Sequence, residues 1–268
     1  MPETIILTVD ARGVATLTLH RAASHNALNA AMIAELTEAA ARIAADPGIR
    51  VVVLTGAGTS FCAGGDLGWM RDQMAADAAT RAAAARALAG MLRALNQLPQ
   101  PLIGRVQGQA FGGGVGMMAV CDLCIGVAGA TFGLTETRLG LIPATIGPYV
   151  VARIGEPAAR RVFLNGARFD AVTAQRIGLL AQVTPADGLD DAVATEVLAF
   201  LSCAPRAVAR AKALLRALGP RIDDDTVDMT VAALVACWQD PEAAEGIGAF
   251  FDRRKPAWTR DKAFGPGE

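Results

Sequence analysis

Two glycine-rich turns and one acid are the residues of this chain best suited to chemistry. The first turn is Phe61-Cys62-Ala63-Gly64-Gly65-Asp66-Leu67 and the second is Phe111-Gly112-Gly113-Gly114-Val115-Gly116. Glycines at a helix start present backbone N–H groups with no Cβ in the way, and that end of the helix carries about half a positive charge. Two such donors from separate turns would hold an oxygen that becomes negative during a reaction. Further on, Phe132-Gly133-Leu134-Thr135-Glu136 supplies an acid in a segment with little charge apart from Arg138. Desolvation there would raise the carboxyl pKa towards neutral, where it can both accept and donate a proton. Each feature alone also reads as plain structure: a tight turn on a sheet, or a surface glutamate paired with Arg138 or Arg153. Their order along the chain favours a site.

Other chemistries have less material. His20 and His25 are the only histidines and both lie near the N-terminus, which leaves little for a Ser-His-Asp triad. Gly56-Ala57-Gly58 is half of a dinucleotide fingerprint without its third glycine or acid at the right offset, and no Gly-Lys-Ser or Gly-Lys-Thr phosphate loop occurs. The five cysteines are an odd count. Cys121-Asp122-Leu123-Cys124 has no second cysteine pair or histidine cluster, so the thiols read as small buried side chains rather than a metal or redox site. Asp66 reads as a helix cap.

The elements that position these residues can be read from periodicity. Residues 5–9 and 14–20 form a hairpin, a helix follows Asn29 to about Ala45, and 50–54 is a strand leading into the first glycine turn. Ala84, Leu88, Met91, Leu92 and Leu95 share one face of a helix over 78–98. A strand at 102–106 feeds the second glycine turn, and 123–127 and 131–133 are further strands. Strand, turn and helix thus recur, with the two donor turns at the ends of neighbouring parallel strands. After about Ala204 only helices follow: 205–218, 223–238 and one beginning at Asp240-Pro241. They suit oligomerisation, since a short helical appendage buries little alone.

At 268 residues the chain can bury a full-sized core, and it is 53 % apolar with a formal net charge of −1. That balance gives no pull towards nucleic acid or an anionic membrane, and the spacing of apolar runs suggests no membrane span. Met1-Pro2-Glu3-Thr4 does not open a secretory signal. A cytoplasmic small-molecule enzyme with no metal is the expectation.

With these residues assembled, the chain resembles the crotonase, or enoyl-CoA hydratase/isomerase, family. The ordered set that carries the likeness is Asn26-Ala27-Leu28-Asn29, F-C-A-G-G-D-L, A-F-G-G-G-V-G, C-D-L, F-G-L-T-E-T-R-L-G-L-I-P and Ala249-Phe250-Phe251-Asp252-Arg253-Arg254-Lys255. The resemblance implies an α/β fold, a ClpP-like spiral of ββα repeats over 1–203, and a helical trimerisation region over 204–268. It implies a homotrimer or homohexamer acting on an acyl-CoA, with no cofactor beyond the CoA of the substrate. The N–H groups of Gly65 and Gly113 would hold the thioester oxygen and Glu136 would move the α-proton. Asn26, Ala27, Leu28, Ala63, Asp66, Leu67, Gly68 and Gly116 would line the substrate and CoA path, with Phe250 and Arg253 at the nucleotide end.

The chain departs from the family at one telling position. Familiar hydratases carry a second glutamate where this chain has Gly116, so hydration would use Glu136 alone or with Thr135, Thr145 or a water. The motifs G-G-G-V-G, D-L-G-W-M and L-G-L-I-P-A-T-I-G-P-Y-V-V look most like the bacterial methylglutaconyl-CoA and isohexenylglutaconyl-CoA hydratases, whose substrates are branched and carboxylated. Arg71, Arg138 and Arg153 are candidate cations for such a carboxylate. A single-glutamate Δ3,Δ2-enoyl-CoA isomerase is the alternative, and a non-catalytic acyl-CoA-binding scaffold is the reading from another class.

Overall fold

The computed structural model describes residues 4–259; Met1 to Glu3 and the last part of the expected 204–268 region lie outside the described residues. The chain opens with the hairpin β1 (Ile5–Val9) and β2 (Val14–Leu19), then α1 (Ala30–Ala45), capped by the Asn29 side chain on the Met32 N–H. β3 (Val51–Gly56) is buried throughout and pairs parallel with β2. From here the chain repeats one pattern, a longer strand, a three-residue strand, then helix.

The first repeat is β3, β4 (Ser60–Cys62), α2 (Leu67–Ala75) and α3 (Ala78–Asn96). The second is β5 (Leu102–Val106), β6 (Gln109–Phe111) and α4 (Gly113–Val120). The third is β7 (Leu123–Val127), β8 (Thr131–Gly133), a 3₁₀ turn at Glu136–Leu139 and α5 (Gly147–Phe163). The chain continues through β9 (Arg168–Asp170), α6 (Ala171–Arg176), β10 (Gln182–Thr184) and α7 (Leu189–Leu201). Three helices follow: α8 (Pro205–Leu218), α9 (Asp224–Gln239) and α10 (Pro241–Phe251).

The longer strands build a six-stranded sheet in the order β1-β2-β3-β5-β7-β10, and the short ones a four-stranded sheet β4-β6-β8-β9. In the small sheet β4, β6 and β8 are parallel neighbours, and β9 closes the edge antiparallel. This is the expected spiral of ββα repeats. The core lies between the large sheet and its helices, with Leu17, Leu36, Leu54, Met91 and Leu95 fully buried.

The structure corrects one reading. The glycine turns do not follow the long strands directly, because β4 and β6 intervene and carry the chain into the second sheet. The donors therefore lie at the ends of short strands of the small sheet. The thiols of Cys121 and Cys124 are buried and donate to the carbonyls of Met117 and Met118. Among the described residues no single helix is long and apolar enough to cross a membrane.

Candidate active site

Three adjacent parallel strands end at one place. β4 runs into Gly64-Gly65, β6 into Gly112-Gly113, and β8 leads to Glu136 at the start of its 3₁₀ turn. The two turns meet backbone to backbone. Gly64 has φ 91°, and a Cβ there would lie 2.9 Å from the Phe111 carbonyl oxygen and 3.7 Å from the Gly113 nitrogen. Gly112 has φ 47°, and a Cβ there would lie 3.0 Å from Glu136 Oε1. Any side chain at either position would separate the two turns or displace the carboxylate, and an L-residue would also be strained at these φ values.

The segment before α1 holds the first turn in place. Leu28 donates its N–H to the Gly64 carbonyl at 2.7 Å and accepts from the Asp66 N–H at 2.9 Å. Among the described residues neither the Gly65 nor the Gly113 N–H donates to a protein acceptor. The two groups are left available for an oxygen of a ligand.

Glu136 has the environment expected of a proton carrier. Burial raises its pKa from 4.5 to about 7, opposed only by its own backbone N–H, and Oε2 is buried without a partner. α10 packs on the turn that holds it: a Cβ on Gly140 would come within 2.5 Å of the Glu242 backbone, and one on Gly246 within 2.5 Å of Leu139. The helix therefore rests directly on the turn that carries the acid.

The other expected residues divide in their placement. Leu67 is half-exposed beside Gly65, Ala63 is partly open, and the exposed Gly68 donates its N–H to Asp66. Asp66 caps α2 and pairs with Arg21 at 2.9 Å; burial opposes this, but the Trp69 N–H and Arg21 keep its pKa below the ordinary value. Ala27 is buried, and its carbonyl accepts from Arg21.

Asn26 is a correction. It is wholly buried at φ 56°, and its amide donates to the Ala57, Ser60 and Phe61 carbonyls while accepting from the Arg21 N–H. Its side chain braces the loop from within the protein. Phe250 is half-exposed at the end of α10, next to Phe251, whose ring is covered by the Arg71 guanidinium at 4.3 Å. Arg253 is exposed just beyond. Of the candidate cations, Arg153 is spent on the Asp122 and Ala119 carbonyls, and Arg138 is exposed with its stem against Gly166.

Gly116 is a further correction. It is buried, and the side chain of Ile146 fills its space, with Cγ2 2.3 Å from where a Cβ would be. Sequence reasoning missed Ile146. It sits just before α5, thirty residues downstream, and nothing local marks it as a partner of Gly116.

A model of the enoyl-CoA hydratase/isomerase family matches residues 10–261. The chain belongs to that family. A Mycobacterium bovis protein named as a probable enoyl-CoA hydratase, echA8, is 34 % identical over 259 residues, covering 96 % of this chain and 98 % of that one. The mevalonyl-coenzyme A hydratase sidH of Aspergillus fumigatus is 32 % identical, covering 92 % of this chain and 91 % of its own. The solved structure of an enoyl-CoA hydratase from Shewanella pealeana superposes with a TM-score of 0.78 at 37 % identity, covering 95 % and 96 % of the two chains. This enoyl-CoA hydratase/isomerase family member is thus an enzyme, with its glycine turns and its one acid gathered at the ends of three parallel strands.

Proposed function

We propose that this enzyme hydrates a 2-enoyl-CoA with a branched acyl chain, of the methylglutaconyl-CoA type, needing no cofactor beyond the substrate's CoA. The observation that carries the reading is the Glu136 carboxyl, with a pKa of about 7 and an unpartnered oxygen, set against the Gly112-Gly113 turn. In the forward step ionised Glu136 takes a proton from water as the water oxygen bonds to C3. The electron pair of the double bond moves into the thioester, whose oxygen becomes negative between the Gly65 and Gly113 N–H groups. Losing one such donor typically costs about 2.7–4 kcal/mol of transition-state stabilisation. Protonated Glu136 then returns its proton to C2, and one water has been added. A group that titrates near 7 suits both halves. The branched acyl group is supported by the relative named as a mevalonyl-CoA hydratase.

A second reading rests on Ile146. Its methyl group at Gly116 gives the site an apolar wall where a second acid would orient water. That favours a Δ3,Δ2-isomerase, in which ionised Glu136 takes a proton from C2 of a 3-enoyl-CoA and returns it to C4. Incubation with 3-methylglutaconyl-CoA, crotonyl-CoA and a 3-enoyl-CoA in ¹⁸O-water separates the two. Hydration predicts label at C3 and loss of conjugated absorbance; gain of absorbance without label would replace hydration with isomerisation.

A further inference from the structure

α2 turns one face towards the first glycine turn. A Cβ on Gly65 would lie 3.7 Å from Met70 Cγ and 3.7 Å from two ring carbons of Trp69. Positions three and four apart share a helix face, so Gln73 continues the face of Met70 and Trp69 one turn further on.

Gln73 is the anomaly on that face. It is only 6 % exposed, and its side-chain amide has no hydrogen-bond partner among the described residues. Buried polar side chains nearly always have a partner, so this amide is short of one. Neither of its polar atoms is sealed from solvent, in contrast with Gln100 Oε1, and a ligand can therefore reach them.

The backbone that carries the amide is fixed. Arg81 donates to the Gln73, Met74 and Trp238 carbonyls at 2.8, 2.9 and 3.2 Å, which ties the end of α2 to α9. The neighbouring side chains are apolar. Met70 and Met74 pack on a cluster of Leu141, Ala243 and Ile247, and so does Leu139 from the turn that begins at Glu136. α2 and the turn of the acid thus converge on one apolar cluster. Arg81 is spent on its three carbonyls, and Arg71 is exposed over the Phe251 ring, so the polar group this face offers is an amide and not a cation.

A helical turn advances about 5.4 Å and helical side chains lean back towards the N-terminus, which brings the amide within reach of roughly the fourth or fifth carbon of a thioester held at Gly65. We propose that Gln73 selects the acyl group: its amide N–H donates to an oxygen at about the fifth carbon of the acyl chain, a carboxylate or a hydroxyl, while Met70 and Met74 face the carbons before it. A hydroxyl uses both the donor and the acceptor of the amide, and a carboxylate uses the donor. A chain ending in a methyl group covers the amide and leaves it unpaired, which is the basis of the discrimination. The assignment rests on the Gly65 and Gly113 N–H groups holding the thioester oxygen, and it is independent of whether Glu136 hydrates or isomerises.

Binding is measured by calorimetry with saturated esters that cannot react. They are 3-methylglutaryl-CoA, 5-hydroxy-3-methylpentanoyl-CoA and 3-methylpentanoyl-CoA, which carry a carboxylate, a hydroxyl and a methyl group at that end, with free CoA as the reference. At least one oxygen-bearing ester is expected to bind about tenfold or more tightly than the methyl ester, and the better of the two names the end group. Gln73→Leu and Gln73→Met keep the bulk of the side chain, and each is expected to reduce that preference about fivefold or more while free CoA binds as before. Equal binding of the esters, all of them tighter than CoA, would overturn the role of Gln73 and leave the thioester site standing. Esters that bind no tighter than CoA would overturn both. A preference that survives in folded Gln73→Leu and Gln73→Met would overturn the role of Gln73 as well, and assign the preference to another residue.

Discussion

Glu136 shows the conflict between stability and function within one side chain. Its carboxyl is buried with one oxygen unpartnered, which penalises the ionised form and lifts the pKa from 4.5 to about 7. In the unfolded chain the group ionises near its ordinary value, so between about pH 4.5 and 7 the folded state holds more protons than the unfolded one. Stability therefore falls as pH rises through that window, by about 3 kcal/mol in all, and the loss is complete above pH 7. Glu136→Gln has nothing to titrate. Its urea-unfolding free energy is expected to lack that decline, with the gap between variant and parent widening from pH 4.5 to 7 and flat beyond. Turnover in the same variant is expected to drop 10²- to 10⁴-fold, the range for loss of a general acid–base. A variant that keeps full activity would take Glu136 out of the mechanism.

At the scale of elements, the pairing of α4 with the residue before α5 decides how many acids the site can hold. A Cβ on Gly116 would overlap Ile146 Cγ2, so Gly116→Ala overpacks the contact and is expected to cost about 1–3 kcal/mol. Ile146→Ala removes the obstructing methyl groups, and the double variant is expected to be less destabilised than the sum of the two singles, a coupling measurable by denaturant melts. Additive losses would mean that the two residues do not compete for one space. This contact was not legible in the sequence, because it joins positions thirty residues apart and depends on how two helices cross. The three-residue strands β4 and β6 were hidden for a related reason. Ser60–Cys62 and Gln109–Phe111 are too short to show alternation, and only their pairing in the small sheet makes them strands. The longer strands were legible from their apolar runs. So were the glycine turns and Glu136, because Gly64, Gly112 and an acid among apolar neighbours are chemical choices visible one residue at a time. The role of Asn26 was not, since an asparagine that braces three carbonyls looks the same in sequence as one that meets a ligand.

For the whole molecule the question is what the C-terminal helices do. α8 is tied to the rest of the fold through Lys212, which burial pushes to a lower pKa against the pull of Asp122, and which donates to Asp122 and the Gln100 carbonyl. Its outer face carries Leu214 and Leu218 at 59 % and 75 % exposed, and Met229 on α9 is 64 % exposed. Leu214 and Leu218, one helical turn apart on that exposed face, suit burial against another copy. We propose that 204–268 is the oligomerisation region of a homotrimer or homohexamer. The pair Leu214→Glu, Leu218→Glu is then expected to give monomers by light scattering. Its kinetics test where the CoA end lies. α10 presses on the Glu136 turn within the same chain, through Gly140 and Gly246, so the acid needs no neighbour to be positioned. Turnover at saturating substrate should stay within a few-fold of the parent. If Phe250 and Arg253 reach the nucleotide end of a CoA bound in the adjacent subunit, KM should rise about tenfold or more in the monomer. An unchanged KM in a monomer would assign Phe250 and Arg253 to their own subunit's site, and a parent chain that is itself monomeric would remove the proposed assembly.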